Sequence, residues 1–149
     1  MIDPDVELEI PARPEYVGLV RHVVGATARM GGLSPIVVDN AKLAASEAAT
    51  NAVTVTARES STEAVRVVAE LEGDRLLLEV GDRGSHAATL QSLETGDTDP
   101  DSLDFSFERG LSLPLVQGLV DEFDVQEREG GGSVVRMILV DPGEGEAAG

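Results

Sequence analysis

The chain lacks cysteine and tryptophan and has only two histidines, and these absences exclude several kinds of site. Without cysteine there can be no disulfide, no thiol nucleophile and no thiolate-bound metal. His22 and His86 are too few for a histidine-rich metal cage, so a structural zinc site is excluded. Aromatic residues make up 3% of the chain, so the core must be aliphatic and base-stacking platforms are absent.

Positive charge is also scarce. The 28 Asp and Glu residues outnumber the 11 Lys and Arg residues, and the formal net charge is −17. This excess repels phosphate backbones and anionic lipid surfaces, so we expect no nucleic-acid or membrane partner but a protein or a small molecule. No apolar run approaches the roughly 20 residues that cross a bilayer, and the first residues do not resemble a secretory signal. We therefore expect a cytoplasmic protein.

At 149 residues the chain is predicted to form a single domain, with its core at about 6–140 and an acidic tail at 141–149. A chain of this length buries roughly 70% of its unfolded surface, which suffices for stability without disulfides or metals. We find no internal repeat and no linker.

Hydrophobic periodicity predicts the order of elements. Alternation predicts strands at 6–10, 65–71, 76–80, 123–127 and 135–139, which form an N-terminal strand and two hairpins. Helical spacing predicts helices at 15–30, 34–56 and 110–122, the first with a stripe that includes Leu19 and Met30 and the second with Ser34 as N-cap. Residues 85–108 have no sustained period, and their acidic stretch predicts a solvated loop.

The resulting order is β-α-α-β-β-loop-α-β-β. Strands that alternate are buried on one face, so the fold class predicted is α+β, a two-layer sandwich in which helices cover one face of a mainly antiparallel sheet.

One pattern with chemical potential lies in the second predicted helix, where Glu47 precedes Asn51 by four residues. This spacing puts the carboxylate and the amide one turn apart and about 40° from each other. A carboxylate can accept a proton from an attacking hydroxyl, and an amide oxygen suits Mg²⁺. Taken alone, the pair is also what a solvated helix edge looks like.

Three further patterns are glycine-rich. Asp82 and Gly84 follow an apolar strand and could receive a ligand amine, or simply form a turn. Arg109, Gly110 and Leu111 lie at the start of a predicted helix, whose free N–H groups are suited to phosphate. Taken alone, this pattern is weak evidence for a phosphate site. Ser133 follows three glycines that are most simply a hairpin turn.

In this order the four patterns resemble the nucleotide site of the GHKL superfamily of ATPases and kinases, which share the Bergerat fold. The segments KLAASEAATNAV, RGLSLPLVQGLVDEFDV and GGSVVRM are similar to those of bacterial anti-sigma regulatory factors that are serine protein kinases. The resemblance covers roughly residues 6–140.

The resemblance implies roles for these residues. Glu47 would be the catalytic base and Asn51 the Mg²⁺ ligand. Asp82 and Gly84 would contact adenine, with Ser133 as a hydroxyl nearby. Residues 85–108 would form a lid over ATP, and the phosphate contacts would be Arg109, Gly110 and Leu111.

The same resemblance implies ATP and Mg²⁺ as cofactors. It also implies a sigma factor and an anti-anti-sigma protein of the STAS type as partners, the latter as substrate, together with a possible homodimer. His86 and Ser112 depart from the family pattern, because each stands where a motif glycine is expected. Two alternatives follow: a partner-binding module of the same fold that does not catalyse, and an α/β domain without nucleotide chemistry.

Overall fold

The structure is a computed structural model that describes residues 5–58, 64–82, 116–127 and 132–142. Within these ranges a short 3₁₀ turn, Pro14–Tyr16, precedes the first of two α-helices. The helices are α1 (Val17–Met30) and α2 (Pro35–Arg58), and the strands are β1 (Val6–Ile10), β2 (Val65–Glu72), β3 (Arg75–Asp82), β4 (Glu122–Glu127) and β5 (Ser133–Val140).

The strands form one sheet in the order β1-β2-β3-β5-β4, and every neighbouring pair is antiparallel. β2 and β3 join through a two-residue turn in which Gly73 has φ 63°, a conformation that residues with a side chain rarely adopt. Both helices pack against the same face of the sheet. The predicted α+β sandwich with an antiparallel sheet is therefore confirmed.

The core lies between the helices and the sheet and is aliphatic, as the scarcity of aromatic residues predicts. Alternate residues of each strand face the helices, and the registers align them across the sheet, as for Leu78 opposite Met137. The largest fully buried side chains include Ile10, Leu76, Leu78, Met137 and Leu139.

Helix α1 buries only part of the predicted stripe. Leu19 is 46% exposed and Met30 is 82% exposed, so their assignment to the buried stripe was wrong. At 3.6 residues per turn, both residues lie on the side of the helix opposite the buried residues, which begin at Val17. The buried residues are Val17, Val20, Val24, Gly25, Thr27 and Ala28.

The predicted stop after α1 is confirmed in detail. The Leu33 N–H donates to the Ala28 carbonyl at 3.2 Å, and the Gly32 N–H donates to the Arg29 carbonyl at 3.0 Å. Gly32 has φ 72°. These bonds and the left-handed glycine form a Schellman motif, which satisfies carbonyls at the helix end and turns the chain towards α2.

Helix α2 is 24 residues long, and alanine is the commonest residue of its buried face. Small side chains let the helix backbone lie close to the sheet, where α2 packs chiefly on β3. The fully buried alanines of this face are Ala41, Ala44, Ala45, Ala48, Ala49 and Ala52. No helix within the described residues is long and apolar enough to cross a membrane.

The opposite face of the sheet carries charge. Three ion pairs link strands across it: Arg66 with Glu7 at 2.7 Å, Arg75 with Glu122 at 3.2 Å, and Arg136 with Glu79 at 3.7 Å. The Arg66 guanidinium, through its hydrogen bond, lowers the pKa of Glu7. Val68 and Leu77 are only 8% exposed on this face, because the stems of such side chains shield them. This is a solvated face, and exposed pairs of this kind add little stability.

The two outermost described strands, β1 and β4, both carry exposed acidic residues. Glu7 and Glu9 alternate along β1, and Glu122, Asp124 and Glu127 are exposed on β4. Each edge of the described sheet is therefore negative.

The third predicted helix ends earlier than expected. Val116 and Gln117 are helical, but Glu122 is the first residue of β4, so the predicted end at 122 was wrong. The Asp121 N–H donates to the Ile138 carbonyl at 2.8 Å, which starts the pairing with β5 in place of another helical turn. The first part of that helix, 110–115, lies outside the described residues.

The beginning of α2 is tied to the sheet through Asp141, which follows β5. The Ser34 N–H donates to the Asp141 carboxylate at 2.8 Å, and the Asp141 N–H donates to the Asp74 carbonyl at 2.8 Å. The Ser34 carbonyl accepts the Val38 N–H, as at an N-cap, but its hydroxyl has no partner among the described residues. The side chain predicted to cap α2 therefore does not do so, and the Asp141 carboxylate bonds the Ser34 backbone.

We expect Asp141→Ala to lower the free energy of unfolding by about 1–2 kcal/mol, because it removes a charged acceptor at a helix N-terminus. Urea unfolding of both proteins measures the difference. Asp124→Ala is the control, since that exposed carboxylate binds only the Gln126 side chain among the described residues. An Asp141→Ala variant no less stable than Asp124→Ala would contradict this role.

Candidate functional site

The anchor at Asp141 determines which part of α2 lies beside the end of β3. From Asp74 to Asp82 the chain advances eight residues, or about 26 Å at 3.3 Å per strand residue. A helix covers that length in about 17 residues at 1.5 Å each. α2 starts beside Asp74 and packs on β3. A helix that runs along the strand with these ideal rises would have Asn51 about level with Asp82.

Glu47 and Asn51 lie on the flank of α2 that faces away from α1. The α1 side of the helix is marked by Lys42, whose side chain reaches within 3.0 Å of the Cβ position of Gly25. Glu47 is half-buried, whereas Asn51 is only 4% exposed. A solvated helix edge would leave Asn51 in water, so its burial does not fit that alternative.

Asp82 and Ser133 meet in the strand register. Asp82 is the last residue of β3 and lies opposite Ser133, the first residue of β5, which in turn lies opposite Glu127 of β4. Ser133 is 1% exposed, and its hydroxyl has no hydrogen-bond partner among the described residues. A buried polar group without a partner is costly, so this hydroxyl is suited to bonding a ligand.

Of the residues singled out from the sequence, the strand register brings together Asp82 and Ser133. Ideal helix and strand rises would put Glu47 and Asn51 towards the same end of the fold. The other predicted site residues, Gly84, Arg109, Gly110 and Leu111, lie outside the described residues, as do the predicted lid 85–108, His86 and Ser112.

Sequence reasoning missed one buried polar residue near this end. Thr56 is fully buried, and its hydroxyl has no partner among the described residues. It lies about 140° around α2 from Asn51, towards the alanine face, so it is not on the flank with Glu47. A threonine in an alanine-rich helix gives no signal in the sequence that distinguishes it from an ordinary core residue.

The described part of the site supplies oxygen atoms and no cation. Arg66, Arg75 and Arg136 pair with carboxylates on the opposite face of the sheet. No group of three or more His, Asp or Glu side chains that could hold a metal occurs among the described residues. An amide oxygen and a carboxylate beside a ligand phosphate fit Mg²⁺, which is usually held by few protein groups together with phosphates and water.

Comparison with known proteins identifies the family of the chain. Residues 10–139 match the family of histidine kinase-like ATPase domains. The chain is 34% identical over 127 residues to the serine-protein kinase RsbW of Bacillus subtilis, a match that covers 84% of this chain and 79% of that protein. It is 30% identical over 129 residues to RsbW of Staphylococcus aureus, covering 84% and 80% respectively.

The fold also matches a solved structure of much lower sequence similarity. A chain of the SiaB-SiaC complex from Pseudomonas aeruginosa superposes with a TM-score of 0.64 at 14% identity, covering 91% of this chain and 89% of that one. The match extends the likeness in fold beyond the sequence relatives. The chain thus belongs to the family of histidine kinase-like ATPase domains, among the bacterial anti-sigma serine kinases that its motifs resemble.

Proposed function

We propose that this protein is a cytoplasmic ATP- and Mg²⁺-dependent serine kinase that phosphorylates an anti-anti-sigma protein of the STAS type and sequesters a sigma factor. The observation that supports the proposal is the packing of α2 on β3. In the proposed site a half-buried carboxylate, a buried amide and a buried hydroxyl lie near the strand end at Asp82.

In the proposed reaction Glu47 acts as general base. Its carboxylate would accept the proton of the acceptor serine as the serine oxygen bonds to the γ-phosphorus of ATP and the bond from that phosphorus to the β–γ bridging oxygen breaks, which would release ADP. Positioned proton acceptors of this kind contribute about 10²–10⁴-fold to rate. The half-buried setting of Glu47 suits this role, because a base for a protein hydroxyl must be accessible from solvent without being fully solvated.

Asn51 would hold Mg²⁺ through its amide oxygen, and Asp82 and Ser133 would recognise the adenine. The buried hydroxyl of Ser133, which lacks a partner among the described residues, fits a polar ligand edge. Bound Mg²⁺-ATP supplies the phosphoryl group and a metal charge that offsets the negative field of the protein. Gly84, Arg109, Gly110 and Leu111 complete the proposed nucleotide site.

The proposed protein partners rest on the relatives. The two relatives named above are serine-protein kinases, and the structural neighbour was solved as a complex of two proteins. A chain of charge −17 is suited to protein partners with basic surfaces.

A second candidate function is a partner-binding module without catalysis. It is favoured by His86 and Ser112, which replace two motif glycines of the resembled family. A side chain where the backbone should approach phosphate would weaken nucleotide binding. Separate measurements of phosphotransfer and of nucleotide binding therefore distinguish the kinase from the binding module.

Mg²⁺-ATP is expected to raise the thermal stability of the protein. A ligand at about 100 times its dissociation constant adds about 2.7 kcal/mol to the free energy of unfolding. Differential scanning fluorimetry with Mg²⁺-ATP and with Mg²⁺-GTP measures the effect and its base preference. No shift at millimolar Mg²⁺-ATP would rule out the kinase and leave the binding module.

We expect Glu47→Gln to reduce phosphotransfer about 10²–10⁴-fold while the affinity for Mg²⁺-ATP stays unchanged, because the amide cannot accept the serine proton. A radiolabelled transfer assay with the anti-anti-sigma protein measures the rate. Glu70→Gln is the matched control, since Glu70 is also half-buried but lies on the other face of the sheet. Equal rates in Glu47→Gln and the parent would refute the base assignment.

For Asn51→Ala we expect loss of the part of ATP affinity that depends on Mg²⁺. Calorimetric titration with ATP in the presence of Mg²⁺ and in the presence of EDTA separates that part. Thr50→Ala is the control, because its neighbouring position points about 100° away around the helix. If Asn51→Ala retains the full difference between the two titrations, Asn51 is not the metal ligand.

A further inference from the structure

The solvent side of α2 presents an apolar surface in its first half. Ile36 is 60% exposed and Leu43 is 40% exposed, and Asp39 is exposed between them. We call these three residues the α2 ridge. Most large apolar side chains in the described residues are buried, so two of them on one exposed helix face need an explanation.

The α2 ridge runs into the candidate base. At 100° per residue, Ile36, Leu43 and Glu47 fall within about 40° of one another around the helix. Leu43 precedes Glu47 by one turn, about 6 Å along the axis, and Ile36 lies about 10 Å further back. The ridge and the carboxylate therefore form one continuous strip on the surface of α2.

Asp39, the charged residue at the centre of the ridge, has no oppositely charged partner among the described residues. Asp39 forms no ion pair there, although Lys42 is only three positions away, because the Lys42 side chain packs over Gly25 on the α1 side. With a net charge of −17 behind it, an exposed aspartate attracts a basic group on a partner.

We propose that the α2 ridge is the docking surface for the acceptor protein, which sets an apolar side chain against Ile36 and Leu43 and a basic side chain against Asp39. The inference rests on the proposed kinase function. A serine that gives its proton to Glu47 must reach the exposed side of that carboxylate. The protein around that serine then covers the neighbouring surface of α2, and the ridge is the apolar part of it.

Steady-state phosphotransfer with the anti-anti-sigma protein as the varied substrate tests the proposal. The ridge variant is Ile36→Ser with Leu43→Ser, and its matched control is Leu19→Ser with Met30→Ser. The control removes two exposed apolar side chains from α1, which are 46% and 82% exposed against 60% and 40% on the ridge. All four side chains are largely outside the core, and far-UV circular dichroism verifies that both variants fold.

We expect the ridge variant to raise the KM for the acceptor about tenfold or more, with kcat at saturating acceptor and the affinity for Mg²⁺-ATP unchanged. The control is expected to stay within about twofold of the parent. Asp39→Lys should raise KM as well, and by less at high salt, because screening weakens a charge contact. An unchanged KM in the ridge variant, or an equal rise in the control, would overturn the proposal.

Calorimetric binding of the acceptor without nucleotide separates this proposal from the kinase function. If the parent binds the acceptor but transfers no phosphate, the kinase function fails, and weaker binding by the ridge variant alone still supports the docking surface. The docking proposal fails if all variants bind the acceptor equally. It also fails if the ridge variant binds the acceptor as the parent does and is impaired only in binding the sigma factor. A parent that does not bind the acceptor overturns it too.

Discussion

The alignment of α2 with β3 is the constraint on which the candidate site depends. Two features set it: the alanine face, which brings the helix close to the sheet, and the Asp141 contacts, which fix where the helix begins. A helix that started one residue later would rotate the side chains by about 100° relative to the strand end. The proposed pairing of Glu47 and Asn51 with Asp82 and Ser133 would therefore depend on the whole sandwich and not on one motif.

Charge is distributed unevenly between the two faces of the sheet. The arginines of β2, β3 and β5 lie in ion pairs on the open face, where they shield apolar side chains beneath them. The helix-covered face contributes carboxylate, amide and hydroxyl oxygens at the candidate site. A polyphosphate could bind there only with a metal ion or with cations from outside the described residues, which is the part that the motif around Arg109 would supply in the proposed site.

Local patterns predicted much of the fold. The strand at 6–10, the first hairpin and the glycine stop of α1 depend on neighbours in sequence, and the structure has them as expected. Predictions failed where distant contacts decide. Leu19 and Met30 are apolar but face outward, and Glu122 leaves a helical pattern because it pairs with Ile138.

In the candidate site, too, some features depend on neighbours in sequence and others on distant contacts. The spacing of Glu47 and Asn51 is visible in the sequence, but their level relative to Asp82 follows from the strand order and from Asp141. The hydroxyls of Ser133 and Thr56, which have no partner among the described residues, leave no trace in composition or periodicity. They emerge only from packing, because the same residue types are common in turns and on surfaces.

The acidic edges of the sheet limit how copies of this protein can associate. An uncovered outer strand offers unpaired backbone groups to any other strand, which is a route to aggregation. On β1 and β4 a second copy would align glutamate and aspartate against glutamate and aspartate, and the repulsion would oppose strand addition.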